Sequence, residues 1–440
     1  MRPRLRLAIP VLLVGGVIAA SLLLYAGIGA GPGDSLRPPA SDRPGQSRSA
    51  SGQESSGQPS SDAPTAPPSP TPRPGEGGTE LYGYLPYWQV TDSMAAYLDS
   101  VPLTTLAMFS VSARRNGVVD NRDIGYKRIT SDLGRRIIAD AHARGTRVEL
   151  VFTSFGEDRN GRFFGRLQRQ PSPAQSAGSS PVPSASAAPP VPPWQRTVTD
   201  LARLARDLGV DGINVDVEQL NELDRSAYGE FLAALHSELG SRTLTVATEA
   251  GLRGTGNARA AIDAGVDRVF MMGYDYHWSG SQPGASSPID RTDGQYTLRW
   301  SIDQYVEAGV PRDRIILGLP LYGMSWRTIG PDRTSSVLGR GTTWIPNRHL
   351  DVLLAPGFTP GRDPFEMTEF FVRAEGKAWR MTYYDSPATI RAKLAFARDQ
   401  GLAGGGFWAI GYERGLPGYL SLMRDFVNGR VARDEAPPAP

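Results

Sequence analysis

The chain has no cysteine among its 440 residues. This absence excludes disulfide bonds, thiolate metal sites and lipid attachment through a cysteine. The formal net charge is only +2, and no run of Lys and Arg occurs beyond the first few residues. Such a balance does not favour nucleic acid as a partner. Several common kinds of site are therefore excluded before any motif is considered.

Histidine is also scarce, and its placement argues against a metal centre. The chain has four histidines, at His142, His236, His277 and His349. Their positions do not have the spacing of metal ligands. No Gly-x-Gly-x-x-Gly motif follows the first predicted strand, so a dinucleotide-binding fold is not indicated. We therefore expect no metal and no organic cofactor.

Residues 1–30 predict a membrane segment. Three arginines lie among the first six residues and precede an uncharged, mostly apolar run over residues 7–28, which is long enough to cross a bilayer. Signal peptides usually have apolar regions of about 7 to 15 residues, so an uncleaved anchor is favoured. A cleaved signal is the alternative, because residues 27–30 are small. Either alternative makes the protein extracytoplasmic, as a membrane-anchored or a secreted chain.

Composition separates the folded part of the chain from segments that are predicted to be disordered. Residues 31–79 are rich in Pro, Ser and Gly and have few large apolar side chains, which predicts a disordered linker. Residues 170–193 predict a disordered loop on the same grounds, and residues 429–440 predict a disordered tail. The folded domain is expected over residues 80–428.

Short apolar runs alternate with amphipathic segments in this domain, which is typical of a repeated βα unit. Eight runs are predicted as strands, over residues 81–88, 103–111, 147–155, 211–220, 243–248, 268–274, 315–321 and 404–410. This order favours an α/β fold, a closed (β/α)8 TIM barrel. Residues 324–382 carry many large aromatic side chains and predict a small α+β insertion after strand seven.

The most informative stretch is DGINVDVEQL, residues 211–220. Side chains alternate between the two faces of a strand, so Asn214, Asp216 and Glu218 share one face and the apolar residues share the other. A surface strand would also alternate, but it would rarely carry three acidic or amide groups without a Lys or Thr. In a barrel the polar face points inward, where polar groups are costly unless they are used. These three residues are therefore candidates for a functional site.

Five motifs, in chain order, resemble those of family 18 glycoside hydrolases. DGINVDVE resembles the fourth-strand pattern Asp-Gly-x-Asp-x-Asp-x-Glu, with Asn214 where the first inner Asp usually stands. The motifs similar to strands one, six, seven and eight are YGYLPYW at 82–88, MMGYDYH at 271–277, GLPLYGMSW at 318–326 and GGGFWAIGYE at 404–413. The likeness is closest to the bacterial branch of cortex-lytic and spore-germination-like enzymes. It implies a TIM barrel that cleaves N-acetylglucosamine polymers by substrate-assisted, retaining catalysis.

The spacing of the acidic pair agrees with that chemistry. A strand rises about 3.3 Å per residue, so the Cα atoms of Asp216 and Glu218 lie roughly 6 to 7 Å apart. Both side chains therefore approach a sugar from the same side. An acetamido sugar can supply its own nucleophile while Glu218 protonates the leaving oxygen and Asp216 accepts the acetamide N–H. The charge of Asp216 is expected to raise the pKa of Glu218. Asn214 is neutral, so Asp216 is expected to be ionised without sharing a proton.

Other candidates lie near the ends of neighbouring strands. Tyr274 is predicted to hold the acetamide carbonyl, Asp275 to reach sugar hydroxyls, and Trp408 to stack under a pyranose ring. Further aromatic residues either line the same cleft or belong to the core, and these are Tyr84, Trp88, Tyr322 and Trp326. Glu249, at the end of the fifth strand, is an additional carboxyl to which the sequence assigns no role.

The sequence leaves alternative functions open. The favoured one is a glycosidase acting on β-1,4-linked N-acetylglucosamine polymers, and the alternative is a barrel lectin that only binds such glycans. A lectin would usually lack the acid, which is present here as Glu218. A metal-dependent deacetylase would need clustered His and Asp ligands. Chitin and peptidoglycan both fit as the polysaccharide partner, and the membrane is the other expected partner.

Overall fold

The computed structural model describes residues 79–167, 191–292 and 296–431. The predicted membrane segment at 1–30 lies outside these ranges, as do almost all of the linker, most of the loop at 170–193 and most of the tail. Within the described ranges, no helix is both long and apolar enough to cross a membrane.

A closed barrel of parallel strands forms the body of the domain. Its strands, numbered along the whole chain, are β1 (Glu80–Pro86), β2 (Thr105–Ser112), β3 (Arg147–Phe155), β4 (Gly212–Glu218), β5 (Thr243–Glu249), β6 (Arg268–Met272), β7 (Ile315–Pro320) and β13 (Gly404–Trp408). Their order around the barrel is β1-β13-β7-β6-β5-β4-β3-β2. Every neighbouring pair is parallel. The predicted (β/α)8 barrel is confirmed.

Helices connect the strands. They are α1 (Asp92–Leu98), α2 (Ile124–Ile129), α3 (Asp132–Ala143), α4 (Glu157–Phe163), α5 (Pro193–Leu208), α6 (Arg225–Leu239), α7 (Leu252–Asp263), α8 (Leu298–Glu307), α9 (Leu350–Leu353), α10 (Pro387–Asp399) and α11 (Tyr419–Val427). Helix α5 buries Val198, Leu201 and Ala205, which recur at the spacing of one helical face. It ends at Gly209, whose φ of 69° suits a glycine cap, and the chain then enters β4.

An antiparallel sheet of five strands is inserted between β7 and α10. Its strands are β8 (Gly323–Thr328), β9 (Thr342–Trp344), β10 (Gly361–Asp363), β11 (Thr368–Glu375) and β12 (Ala378–Tyr384). Met324, Trp326, Met381 and Tyr383 form a small core of its own. With the short helix α9, this sheet confirms the predicted α+β insertion after strand seven. The sheet extends from residue 323 to residue 384, slightly beyond the predicted limits of 324 and 382.

Four predicted strands end two residues earlier than expected. β1 stops at Pro86, β4 at Glu218, β6 at Met272 and β13 at Trp408, whereas the predicted strands continue to residues 88, 220, 274 and 410. In β1 the last residue is Pro86, which has no backbone N–H to donate to a neighbouring strand. A 3-10 turn at Tyr87–Gln89 follows it. The side chains just beyond these ends therefore lie on loops at the C-terminal mouth of the barrel.

Aromatic rings fill the middle of the barrel. The ring of Phe270 lies 5.4 Å from that of Tyr82 and 4.9 Å from that of Tyr84, between centroids. A Cβ on Gly318 would lie 2.3 Å from Cε1 of Phe270, and a Cβ on Gly406 would lie 2.6 Å from its Cε2. Both distances are too short for a side chain, so glycine at these positions makes room for the ring.

Candidate active site

The three polar residues of β4 are buried inside the barrel. Asn214 is 0% exposed, Asp216 is 3% exposed and Glu218 is 6% exposed. Asp216 is paired with Thr153 of β3 on one side and with Ala247 of β5 on the other. Because every residue of β4 is buried, the alternative of a surface strand is wrong.

Asn214 is bound by two tyrosines of β1. Its Nδ2 donates to the hydroxyl of Tyr82 at 2.9 Å and to that of Tyr84 at 3.0 Å. Tyr82 in turn donates to Oε2 of Glu149 at 2.6 Å, and two threonine hydroxyls of β5 donate to the other oxygen of Glu149. Burial raises the pKa of Glu149 to about 7. Asn214 and Tyr84, both predicted to bind substrate, thus direct their polar atoms towards each other in the barrel interior.

The peptide bond after Glu218 is held from both sides. The carbonyl oxygen of Glu218 accepts from Nδ2 of Asn160 at 2.7 Å and from the N–H of Gly156 at 3.3 Å. The N–H of Gln219 donates to Oε1 of Glu249 at 2.8 Å. Gln219 has a φ of 58°, a left-handed conformation that costs a non-glycine residue roughly 1 to 2 kcal/mol. These contacts fix the backbone at the point where β4 ends.

The acidic pair shares its buried site with other carboxyls. Burial raises the pKa of Glu218 well above its usual range, and the charges of Asp216, Glu249 and Asp275 raise it further. The predicted direction is therefore right, although burial contributes more than Asp216 does. The pKa of Asp216 is also raised, first by burial and then by Glu249. Both causes act against the ionised form that the sequence predicts for Asp216.

The loop after β6 brings Tyr274 and Asp275 to the acidic pair. Burial raises the pKa of the Tyr274 hydroxyl, and the negative charges beside it add to the effect. Asp275 has a φ of 63°, and its N–H donates to Oγ of Ser286 at 3.0 Å. The hydroxyl of Tyr322 donates to Oδ1 of Asp275 at 2.5 Å. Burial raises the pKa of Asp275 to about 6, while the hydrogen bonds from Tyr322 and Ser286 act in the opposite direction.

Aromatic rings cluster at the mouth of the barrel around Trp408. Its ring centroid lies 4.6 Å from that of Phe109, 5.5 Å from that of Tyr84 and 6.4 Å from that of Trp88. Trp408 is 7% exposed, whereas Trp88 is partly exposed on the turn after β1. The three predicted sugar-binding rings are therefore one packed group. Trp326 is 0% exposed in the core of the insertion, so of its two predicted alternatives, cleft or core, the structure shows the core.

In the part of the chain that the structure describes, no group of three or more His, Asp or Glu residues could hold a metal ion. The histidines make other contacts. Nε2 of His142 lies 2.9 Å from a carboxyl oxygen of Asp211, and Nε2 of His277 lies 3.1 Å from one of Glu366. The ring of His349 stacks on a tryptophan at 4.8 Å between centroids.

Three residues that shape this site were not predicted as site residues, namely Glu149, Asn160 and Glu249. Asn160 lies on α4, and no local pattern marks it, because its role depends on how close β4 comes to that helix. Glu249 shares the inner face of β5 with Thr245, so the strand alternation is a signal that could have identified it.

Comparisons with known proteins bear on the whole barrel. The model of the glycosyl hydrolases family 18 matches residues 80–413. YdhD of Bacillus subtilis is 35% identical over 143 residues, which cover 30% of this chain and 32% of YdhD. Chitinase 63 of Streptomyces plicatus is 27% identical over 227 residues, which cover 45% of this chain and 35% of the chitinase. The spore cortex-lytic enzyme SleL of Bacillus cereus superposes with a TM-score of 0.59 at 20% identity, covering 79% of this chain and 74% of SleL.

These matches differ in what they establish. The chain spans about a third of the length of YdhD and of Chitinase 63. The likeness to SleL establishes a shared fold. The family match at residues 80–413 takes in the barrel, the insertion and every predicted site residue. The chain therefore belongs to family 18 of the glycosyl hydrolases.

Proposed function

We propose that the protein is a glycosidase that cleaves β-1,4-linked N-acetylglucosamine polymers, with Glu218 as the general acid. The observation that carries this proposal is the buried carboxyl of Glu218 at the C-terminal end of a barrel strand, with its pKa well above the usual range. Active sites of this fold lie at that end of the barrel. A raised pKa keeps a carboxyl protonated near neutral pH, so that it can donate to a leaving oxygen.

Substrate-assisted retention is the mechanism that fits this arrangement of carboxyls. Asp216 and Glu218 point from one face of one strand, whereas an enzymic nucleophile and its acid flank the scissile bond. The acetamide oxygen of the sugar bonds to the anomeric carbon as the glycosidic bond breaks, and Glu218 gives its proton to the leaving oxygen. Water then attacks the same carbon, returns a proton to Glu218 and reopens the oxazolinium ring. Two inversions leave the configuration retained.

The residues around Glu218 hold the reacting sugar in this proposal. Oδ1 of Asp216, which has no hydrogen-bond partner among the described residues, accepts the acetamide N–H. The ionised form of this carboxyl is the one that stabilises the positive charge developing on the ring. Tyr274 donates to the acetamide carbonyl, and Asp275 accepts from a sugar hydroxyl while Tyr322 holds its other side. The aromatic cluster around Trp408 offers apolar surface to a pyranose.

Peptidoglycan is the polymer that we favour over chitin. SleL is named a spore cortex-lytic enzyme and Chitinase 63 a chitinase, so the comparisons lend support to both substrates. The Pro-, Ser- and Gly-rich residues 31–79 follow an apolar run, which is typical of a domain held near the cell's own wall.

We further propose that the barrel is extracytoplasmic and tethered through residues 1–30. The support comes from the sequence alone, since arginines before an apolar run favour a cytoplasmic amino terminus. The linker would span about 35 to 40 Å on average as a flexible coil, which allows a search of nearby glycan. Cell fractionation with an epitope at the carboxyl end tests this. Recovery only from the medium, beginning near residue 31, would indicate a cleaved signal instead.

Product analysis tests the proposed reaction. Purified protein is incubated with purified peptidoglycan and with chitin oligosaccharides, and the products are identified by mass spectrometry. We expect new reducing ends at N-acetylglucosamine, and turnover by Glu218→Gln at least about a hundredfold slower with nearly unchanged glycan binding. De-N-acetylated polymer should not be cleaved, and a thiazoline analogue of the intermediate should inhibit.

Each alternative has its own outcome in this assay. Tight glycan binding by the wild type without any product would indicate a lectin. Equal turnover by Glu218→Gln and the wild type would refute the assignment of the acid. Rapid hydrolysis of a sugar without the N-acetyl group would indicate an enzymic nucleophile.

A further inference from the structure

A third acidic side chain, Glu249, lies beside the acidic pair and has no part in the mechanism above. Ala247 of β5 is paired with Asp216 of β4. Glu249 is two residues further along β5, so it shares the inner face at the level of Glu218. Its exposed fraction is 7%. A carboxyl buried beside two others is costly, so its presence requires a compensating contact or use.

The contact of Glu249 is with the backbone that carries the acid. Its Oε1 accepts the N–H of Gln219, the first backbone donor after Glu218. On the other side of the same peptide, Asn160 and Gly156 donate to the carbonyl oxygen of Glu218. Side chains and backbone from two separate parts of the barrel therefore fix this one peptide.

Glu249 is itself held firmly. The hydroxyl of Tyr305 on α8 donates to the carbonyl oxygen of Glu249 at 2.6 Å and is also hydrogen-bonded to the hydroxyl of Thr248. A Cβ on Gly254 of α7 would lie only 1.5 Å from the same carbonyl oxygen, so the helix packs directly on the end of β5. The backbone of Glu249, from which its carboxyl extends, is therefore fixed by the Tyr305 side chain and by the packing of α7.

The groups that face Glu249 come from four elements. They are Asp216 and Glu218 of β4, Tyr228 of α6, Arg253 and Asn257 of α7, and Tyr305 of α8. Burial raises the pKa of Glu249, while the N–H of Gln219 and the charge of Arg253 lower it. A negative charge on Glu249 in turn raises the pKa of both members of the acidic pair.

We propose that Glu249 is a positioning residue of the reaction, which fixes the backbone of Glu218 through Gln219 and adds a third acidic group to the site. This inference rests on the proposed function, because it takes Glu218 as the proton donor. The two actions of Glu249 can be separated. The hydrogen bond to Gln219 needs only an acceptor oxygen, whereas retention of the proton on Glu218 needs a carboxylate.

Three substitutions at this position separate the two actions. Glu249→Gln keeps an acceptor oxygen and removes the charge, so the basic limb of the pH profile of kcat/KM should move to lower pH by roughly one unit. Glu249→Asp keeps the charge, but its shorter side chain moves the acceptor oxygen away from the N–H of Gln219. The basic limb of the pH profile should therefore stay in place while kcat falls. Glu249→Leu removes both, so kcat should fall by about 10- to 100-fold with little change in KM.

Glu413 provides a matched control. It is 1% exposed, its Oε2 accepts the N–H of Gly411 at 2.8 Å, and its Oε1 accepts from Tyr97 at 2.8 Å. It is thus another buried carboxyl that holds a loop N–H, but it is not among the groups that raise the pKa of Glu218. Glu413→Gln should leave the pH profile unchanged. The thermal midpoint of every variant is measured alongside, so that loss of folding is separated from loss of rate.

The outcomes distinguish this inference from the proposed function. A pH profile of Glu249→Gln that superimposes on that of the wild type overturns the electrostatic action, and wild-type kcat in Glu249→Leu overturns the positional one. If Glu249→Gln and Glu249→Leu lose kcat only in proportion to lost folding, the role is merely structural. If the wild type turns over neither polymer, or Glu218→Gln matches the wild type, the proposed function itself fails.

Discussion

Lys393 of α10 and Asp385, just after β12, form a buried ion pair whose removal should destabilise the domain. Their side chains are only 2% and 4% exposed. Nζ of Lys393 also donates to Oγ of Ser287 at 2.6 Å, and Ser287 donates to Oδ2 of Asp385 at 2.8 Å. Ser287 follows Ser286, which holds the backbone of Asp275. The pair therefore joins a barrel helix, the end of the insertion and the loop that carries a site residue.

Lys393→Met replaces the ammonium with an apolar end and leaves Asp385 buried without its counter-charge. Removal of one partner from a buried ion pair costs about 3 to 5 kcal/mol. An unfolding entropy of about 2.1 cal/mol/K per residue gives roughly 0.7 kcal/mol/K for a domain of about 350 residues. The expected fall in thermal midpoint is therefore about 4 to 7 °C.

Thermal unfolding at pH 7, followed by circular dichroism, measures this change. Arg259→Met is the matched control, because Arg259 pairs with Asp263 on the surface, where the side chains are 44% and 55% exposed. Exposed pairs contribute about 0 to 1 kcal/mol, so the control should shift the midpoint by about 1 °C or less. Adding Asp385→Asn to Lys393→Met should restore part of the loss. A shift for Lys393→Met as small as that of the control would refute the reasoning.

Two further predictions concern the carboxyls of the barrel interior. Asn214→Asp adds an acid beside Asp216, so the basic limb of the pH profile of kcat/KM should move to higher pH by roughly half a unit to one unit, and an unmoved limb would contradict this. The pKa of Glu149 is raised from 4.5 to about 7 by burial, so its contribution to stability is fully present below about pH 4.5 and is lost as the pH rises through about 7. The free energy of unfolding, measured with denaturant between about pH 5 and 8.5, should therefore fall less with rising pH in Glu149→Gln than in the wild type. Parallel plots of this free energy against pH for the two proteins would argue against burial as the cause of the raised pKa of Glu149.

The sequence by itself was sufficient for the barrel and for the identity of the acidic pair. Strand alternation has a period of two and βα order is read along the chain, so both signals are local. The polar face of β4 could thus be assigned to Asn214, Asp216 and Glu218 before any contact was known. The aromatic content of residues 324–382 likewise predicted an insertion after strand seven, because so much apolar area requires a packed lobe.

Only the tertiary structure decided what surrounds those residues. Asn160 and Glu249 reach the peptide after Glu218 from 58 and 30 residues away along the chain, and no local pattern encodes such approaches. The sequence left Trp326 open between the cleft and the core, and pairing of β8 with β12 buries it in the insertion. The pKa of Asp216 likewise depends on burial and on a carboxyl from another strand, and neither can be read from the sequence of β4. Residue order along one strand sets which groups share a face, whereas the pKa of each group depends on how closely the other strands and helices exclude water from it.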